Sequence, residues 1–109
     1  MTGAVTFGDQ TIKLCGNGAT SIRYKQIFHK DLLMSFRGMS VEDFDADTIK
    51  GLAFVMAKQA EGADFKGITL DDFVDWISQY EEFDFMNSAA DVIGIWTANN
   101  ATMAKAKKK

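Results

Sequence analysis

The chain contains no proline in its 109 residues, and proline is the residue that most often breaks a helix. Helices can therefore run without forced interruption, and glycine, aspartate and asparagine must mark the turns. Apolar residues make up 47% of the chain and charged residues 25%, which is typical of one globular domain with a single core. We expect one domain over residues 1–100, followed by a flexible basic tail over 101–109.

Two short apolar runs near the N-terminus predict a β-hairpin over residues 4–14. Val5 and Phe7 alternate with polar residues before a Gly8-Asp9 turn, and Ile12 and Leu14 alternate after it. A two-stranded hairpin is only marginally stable in water by itself. We therefore expect helices to cover its apolar face, which gives an α+β fold that is mainly α, with a hairpin followed by about four helices in a small compact bundle.

Large apolar residues recur at helical spacing in four later stretches. The spacing predicts helices over approximately 20–36, 47–61, 70–81 and 85–98. The second of these is apolar on more than one side, through Phe54 and Val55, and is expected to be central. In the last of these helices the predicted inward stripe is Met86, Ala89, Ala90, Ile93 and Trp96, with Val92 and Ile95 outside it.

Local signals mark the expected ends of these helices. Thr20 or Ser21 is a candidate N-cap for the first helix, and Gly38 is expected to end it. Gly62 is expected to end the second helix. Thr69 with Asp72 approximates a capping box for the third, and Asp84 or Asn87 is a candidate N-cap for the fourth.

Charge is segregated along the chain. Residues 1–40 carry a net charge of +3, residues 41–100 carry −10, and residues 101–109 carry +4. The acidic middle repels nucleic-acid phosphates, and the basic part is too thin for a duplex footprint. The pattern suits self-association or capture of a basic protein partner. It also fits a solvated surface with a solubilising tail.

One spacing of acidic residues resembles a calcium site, but the remaining ligand positions do not match it. Asp43, Asp45 and Asp47 are spaced like the first ligands of a calcium loop. Such a loop needs glycine at its sixth position and a bidentate glutamate at its twelfth, and here those positions hold Thr48 and Phe54. One histidine and one cysteine are too few for a zinc site. We expect no metal and no other cofactor.

The sequence also lacks the arrangement of groups that catalysis requires. Cys15 and His29 are the candidates for a thiolate–imidazole pair, but the spacing supplies neither an orienting acid nor an oxyanion hole. Gly16-Asn17-Gly18 lacks the glycine and lysine pattern of a phosphate loop and is interpreted as a tight turn. The sequence shows neither a secretory signal nor a membrane-spanning segment. We expect an intracellular protein that is not an enzyme and that acts by binding other proteins.

Several large apolar residues are candidates for that binding, and most of them fall outside the predicted inward stripes. Methionine and aromatic side chains are enriched at protein interfaces. The alternative is that these residues fill the core or an interface between copies of the chain. The candidates are Met34, Phe54, Val55, Phe83, Phe85, Val92, Ile95 and Trp96.

The segment Gly18-Ala19-Thr20-Ser21-Ile22-Arg23-Tyr24-Lys25-Gln26-Ile27-Phe28-His29-Lys30-Asp31-Leu32-Leu33, preceded by the hairpin, resembles the tail assembly chaperones of long-tailed, siphovirus-type phages and prophages of Gram-positive bacteria. The resemblance continues through the Ala-Met-Ala-rich helix from Leu52 to Ala60 and the helix from Asp71 to Ile77. It ends in Ile93-Gly94-Ile95-Trp96 and the Asn-Lys tail, so it covers nearly the whole chain.

The resemblance implies a function in tail morphogenesis. Proteins of this family bind the tape measure protein before the tail tube polymerises around it. They are commonly made in two forms, and the longer, frameshifted form recruits tail tube subunits. The family also implies homo-oligomers, a place in the host bacterial cytoplasm and absence from the mature virion.

Two further readings of the sequence stay open. Lys107-Lys108-Lys109 could be encoded by a run of adenines, which is a typical ribosomal slippery site, or could simply be a solubilising basic end. The alternative function is a small adaptor or regulatory module. Such a module could bind nucleic acid weakly through Arg23, Lys25, Lys30 and Arg37.

Overall fold

The computed structural model describes residues 2–32 and 46–97 of the chain. A two-stranded antiparallel hairpin precedes a set of helices, so the predicted α+β, mainly helical fold is confirmed. The elements are β1 (Thr2–Phe7), β2 (Gln10–Cys15), α1 (Thr20–Phe28), α2 (Ala46–Glu61), a 3₁₀ turn (Phe65–Gly67), α3 (Leu70–Ile77), α4 (Glu82–Asn87) and a final helix α5 over residues 89–97.

The hairpin closes through a two-residue loop of Gly8 and Asp9, as predicted. Phe7 pairs with Gln10 across the loop, and Gly8 has φ 64°. Glycine with positive φ at the first loop position is typical of a type II′ turn, whose twist matches that of the strands. Val5 and Phe7 are buried on the face that the helices cover.

Helix α2 occupies the centre of the molecule, which confirms the prediction from its apolar residues. It contacts β2, α1, α3 and α4. Its run from Gly51 to Ala57 is buried on all sides. A helix surrounded in this way needs apolar residues around its whole circumference, and this accounts for the composition of the segment.

Aromatic rings join the hairpin to the helices around α2. The Phe7 ring lies 4.8 Å from the Phe85 ring and 5.2 Å from the Tyr80 ring, measured between centroids. The Phe54 ring of α2 lies 5.6 Å from the ring of Trp76. Edge-to-face and tilted pairs at these separations add to the stabilisation from burial alone.

The first predicted helix is shorter than its apolar spacing suggests. Helix α1 ends at Phe28, because His29 takes a left-handed conformation with φ 59° and donates its N–H to the carbonyl of Lys25. The extension towards residue 36 is therefore interrupted before residue 33. Gly38, the predicted terminator, lies outside the described residues, as does the calcium-like spacing up to Asp45.

The predicted cap of α1 is also different. Ala19 is the N-cap and contributes no side-chain hydrogen bond. Thr20 is fully buried, and its hydroxyl accepts from the N–H of Asn17 at 2.9 Å and donates to Gln59 at 2.7 Å. The hydroxyl thus joins α2 to the loop that precedes α1, and the N-cap residue supplies no side-chain hydrogen bond to the start of α1.

Local sequence signals predict some of the later helix ends correctly and others wrongly. Gly62 has positive φ just after α2, and the capping box of Thr69 and Asp72 is present at the start of α3. Helix α3 ends at Ile77, earlier than the predicted residue 81. The predicted helix over 85–98 begins at Glu82 instead, where Asp84 accepts the N–H of Glu81 from within the first turn.

A break at Ser88 divides that last segment into α4 and α5. The Ser88 side chain donates a hydrogen bond of 2.9 Å to the carbonyl of Thr6 in β1. This bond holds the break against the edge of the hairpin. Residues 98–109, which include the predicted basic tail, lie outside the described residues.

Candidate protein-binding surface

Exposed large apolar side chains are concentrated in the segment from α3 to α4. Phe83 is 76% exposed and Met86 43% exposed, and they lie three residues apart on α4. Leu70 and Val74 lie four residues apart on α3, and each is more than half exposed. Residues at these spacings are neighbours on a helix surface. We call them the α4 pair and the α3 pair.

Ile22 on α1 is the remaining exposed large apolar residue in the described part of the chain. It stands alone, and single exposed apolar residues are ordinary on protein surfaces. The two pairs are different, because adjacent exposed apolar side chains form patches that protein partners bind.

Five of the eight residues predicted to bind a partner are instead buried in the core. Each of these five side chains is 2% exposed or less, so the expectation that they lie on the surface was wrong. They are Phe54, Val55, Phe85, Val92 and Trp96.

The physical reason differs between the two regions. Phe54 and Val55 fall outside one stripe because α2 is covered on every side. In α4 and α5 the inward face is centred on Phe85, Val92 and Trp96, and the expected inward residue Met86 faces outward.

The other three candidates have separate outcomes. Phe83 is exposed, in agreement with its predicted availability. Ile95 is half-buried, and its side chain lies close against the backbone of Gly3 in β1. Met34 lies outside the described residues.

The sequence did not predict the α3 pair, and its apolar spacing placed Met86 in the inward stripe. Glu81 followed by Asp84 matches the spacing of a capping box and would place the helix start at residue 82, but this spacing does not show which face of the helix points inward. Leu70 and Val74 carried no signal of exposure either, since both are ordinary apolar residues.

The segment that carries both pairs is acidic throughout. Residues 67–97 contain seven acidic residues and no lysine, arginine or histidine. Glu82 forms an ion pair with Lys50 of α2, while the carboxylates of Asp72 and Asp84 accept the backbone N–H groups of Thr69 and Glu81 at helix starts. Asp71, Asp75 and Asp91 are exposed. The apolar pairs are therefore presented in a field of negative charge that favours a basic partner.

The basic residues considered for nucleic-acid binding are arranged differently. Arg23 lies over the ring of Phe65 at 5.0 Å and donates to the side chain of Gln26. Lys25 and Lys30 are exposed. Arg37 lies outside the described residues. The guanidinium of Arg23 is thus already engaged within the protein.

A groove of about 510 Å³ runs between β1 and α5. One wall is the start of β1, and the other is formed by small residues of α5 with Ile95 at the base. An ideal Cβ built on Gly94 meets no atom within 4 Å, so this wall is open. The lining residues are Thr2, Gly3, Ala4, Ala90, Asp91, Gly94 and Ile95.

The chemical candidates from the sequence can be located where they fall within the described residues. Within residues 2–32 and 46–97, no three histidine, cysteine, aspartate or glutamate side chains are grouped as metal ligands. Cys15 is half-buried at the end of β2, and His29 is exposed at the end of α1. No helix in the same residues is long and apolar enough to cross a membrane.

The arrangement therefore offers contact surfaces: two exposed apolar pairs in an acidic segment, and one groove beside a strand edge. Comparisons with protein-family models, with curated proteins and with solved structures find no match to the chain.

Proposed function

We propose that the protein is a phage tail assembly chaperone that binds the tape measure protein during tail morphogenesis. The resemblance over Gly18–Leu33 and the later helices motivates the family. The observation that carries the proposal is the exposure of Phe83 and Met86 side by side on α4. Together with the α3 pair, they are four of the five exposed large apolar residues in the described part of the chain.

The chemistry of this surface suits a helical client. An amphipathic helix binds by placing an apolar stripe against exposed apolar side chains, with its polar face left in water. Phe83 and Met86 provide an aromatic and an adaptable thioether contact, and both residue types are common at interfaces. The negative charge of residues 67–97 supports a client whose polar face is basic.

The resemblance also supports a second partner. In the proposed function a longer, frameshifted form carries an extension that recruits tail tube subunits, and Lys107-Lys108-Lys109 is the candidate frameshift position. Sequencing the codons for these three lysines tests the proposal, because a slippery site needs a run of adenines.

Co-expression with the tape measure protein of the same phage tests the main function. We expect the unmodified chain to raise the soluble fraction of the tape measure protein and to co-purify with it. The double variant Phe83→Ser and Met86→Ser should lose most of this effect, because it removes the apolar contacts and leaves the core intact.

Ile22→Ser is the matched control, since Ile22 is similarly exposed but lies on α1. It should retain the chaperone effect. No rise in tape measure solubility with the unmodified chain would refute the proposed function. An equal loss in the control and the double variant would refute the assignment of the surface.

A further inference from the structure

Among the described residues, β1 pairs only with β2, and its outer edge faces the groove beside α5. A two-residue hairpin loop makes Phe7 and Gln10 a hydrogen-bonded pair, and such pairs alternate along an antiparallel ladder. The backbone groups of Thr2, Ala4 and Thr6 therefore face away from β2. The Thr6 carbonyl confirms this direction, because it accepts the hydrogen bond from Ser88.

Within residues 2–32 and 46–97, this edge is covered at one end. Ser88 covers the edge at Thr6, whereas Thr2 and Ala4 line the open groove. Ala4 is exposed, and no residue of the described segments 2–32 and 46–97 forms a hydrogen bond with its outward-facing N–H or carbonyl. An edge of this kind is a template for another strand.

We propose that this groove binds an extended, basic peptide segment of a partner protein, which adds a short strand to the edge of β1. An added strand lies about 4.8 Å from its neighbour, and only a strand can pair with successive outward backbone groups. The small side chain of Ala90 and the absence of a side chain at Gly94 leave space for the added strand opposite β1.

The negative charge in the groove favours a basic peptide over an acidic one. Asp91 is the charged residue among those that line the groove, and its carboxylate is exposed. Residues 88–97, which include the α5 wall of the groove, contain no lysine, arginine or histidine. Lysine or arginine in alternate positions of the bound strand would reach Asp91, while an acidic strand would be repelled. The groove and the α4 pair are formed by different residues, so peptide binding at the groove does not depend on the proposed function.

Fluorescence anisotropy with a short synthetic probe tests the binding. The probe is the labelled, end-blocked peptide Thr-Lys-Val-Lys-Val-Thr, titrated with the full chain at low ionic strength. Two control peptides accompany it. One carries glutamate in place of both lysines, and the other is N-methylated at both lysines and both valines, which removes the backbone donors needed for strand pairing.

Two variants of the protein locate the binding site. Gly94→Leu fills the groove from the α5 side, and its matched control is Gly67→Leu, where an added Cβ also meets no atom within 4 Å. Ala4→Pro removes the outward-facing N–H of β1 without removing a bond to β2. Urea unfolding of each variant shows whether it remains folded.

We expect the lysine peptide to bind and both control peptides to bind at least about tenfold more weakly. Gly94→Leu and Ala4→Pro should weaken binding of the lysine peptide by a similar factor, and Gly67→Leu should leave it unchanged. Equal binding of the N-methylated or the acidic peptide would overturn the proposal, as would full binding by folded Gly94→Leu.

A second copy of the chain is the competing occupant. If sedimentation shows an oligomer that Gly94→Leu converts to monomers, and the lysine peptide does not bind, the edge pairs with another copy and the proposal is wrong. The test is separate from the proposed function, because Phe83→Ser with Met86→Ser should leave peptide binding intact while removing the effect on the tape measure protein.

Discussion

The hydroxyl of Thr20 donates a hydrogen bond of 2.7 Å to the side-chain carbonyl of Gln59, which lies 39 positions later in the sequence. The Gln59 amide in turn donates to Asn17 at 3.0 Å, and the N–H of Asn17 donates back to Thr20. This closed set of bonds joins the loop before α1 to the end of α2. It also keeps a fully buried hydroxyl satisfied, as a buried polar group requires.

Thr20→Val should destabilise the protein by about 1–3 kcal/mol, because the isosteric valine cannot accept from Asn17 or donate to Gln59. The free energy of unfolding in urea measures the loss. Ser21→Ala is the control at the next position and should change that free energy by less than about 0.5 kcal/mol. A neutral Thr20→Val would mean that the loop is held to α2 by other contacts.

Two helical glycines should respond to alanine in opposite directions. A Cβ on Gly51 would lie 2.8 Å from a ring carbon of Tyr24 and 3.1 Å from the ring of Phe28, where α1 crosses α2. Gly51→Ala should therefore destabilise by about 1–3 kcal/mol, despite the better helix propensity of alanine. Gly94→Ala meets open space and should stabilise by about 0.5–1 kcal/mol. Thermal or urea unfolding measures the change in unfolding free energy of each variant, and a change of the same sign in both would contradict the close contact at Gly51 or the open space at Gly94.

Patterns that are local in sequence were predictable from the sequence. The Gly8-Asp9 turn, the capping box at Thr69 and the all-round burial of α2 each follow from residues within one turn or one helix. The left-handed conformation of His29 was not predictable, because neither proline nor glycine marks it.

The candidate surface was harder to predict, because it depends on which face of the last segment points inward. Phe85, Ser88, Val92 and Trp96 are all buried, but the break at Ser88 separates α4 from α5, so the stripe predicted for one continuous helix does not identify the inward residues. Ser88 is tolerated inside because it donates to the Thr6 carbonyl of the hairpin, 82 positions away. Single-sequence periodicity contains no information about such a partner, so the outward position of Met86 required the structure.

Ionisation of Tyr80 should lower the free energy of unfolding at alkaline pH. Burial, and secondarily the nearby charge of Glu61, raise the pKa of the Tyr80 phenol above its ordinary value of 10.0. The folded state therefore holds this proton more tightly than the unfolded state. Its contribution to stability is complete below pH 10 and is lost as pH rises above that value, where the unfolded phenol ionises first.

Tyr80→Phe removes this titration while keeping the ring beside Phe7 and Trp76. Unfolding free energies measured on both sides of pH 10 should fall less steeply for the variant than for the unmodified chain. Parallel curves would show that Tyr80 has the same pKa in both states.

Phe83 and Phe85 lie two positions apart on α4 and should differ sharply when each is replaced by alanine. Phe85 is 1% exposed and packs against Phe7, Trp76 and Tyr80, so Phe85→Ala should cost about 3–5 kcal/mol of unfolding free energy. Phe83→Ala removes a side chain that contacts mostly water, and it should change stability by less than about 0.5 kcal/mol. Urea unfolding compares the two variants under identical conditions. Equal losses of unfolding free energy would place Phe83 in the core and remove the α4 pair from the surface. A folded Phe83→Ala protein that binds the tape measure protein more weakly would show that Phe83 stabilises the complex with that protein.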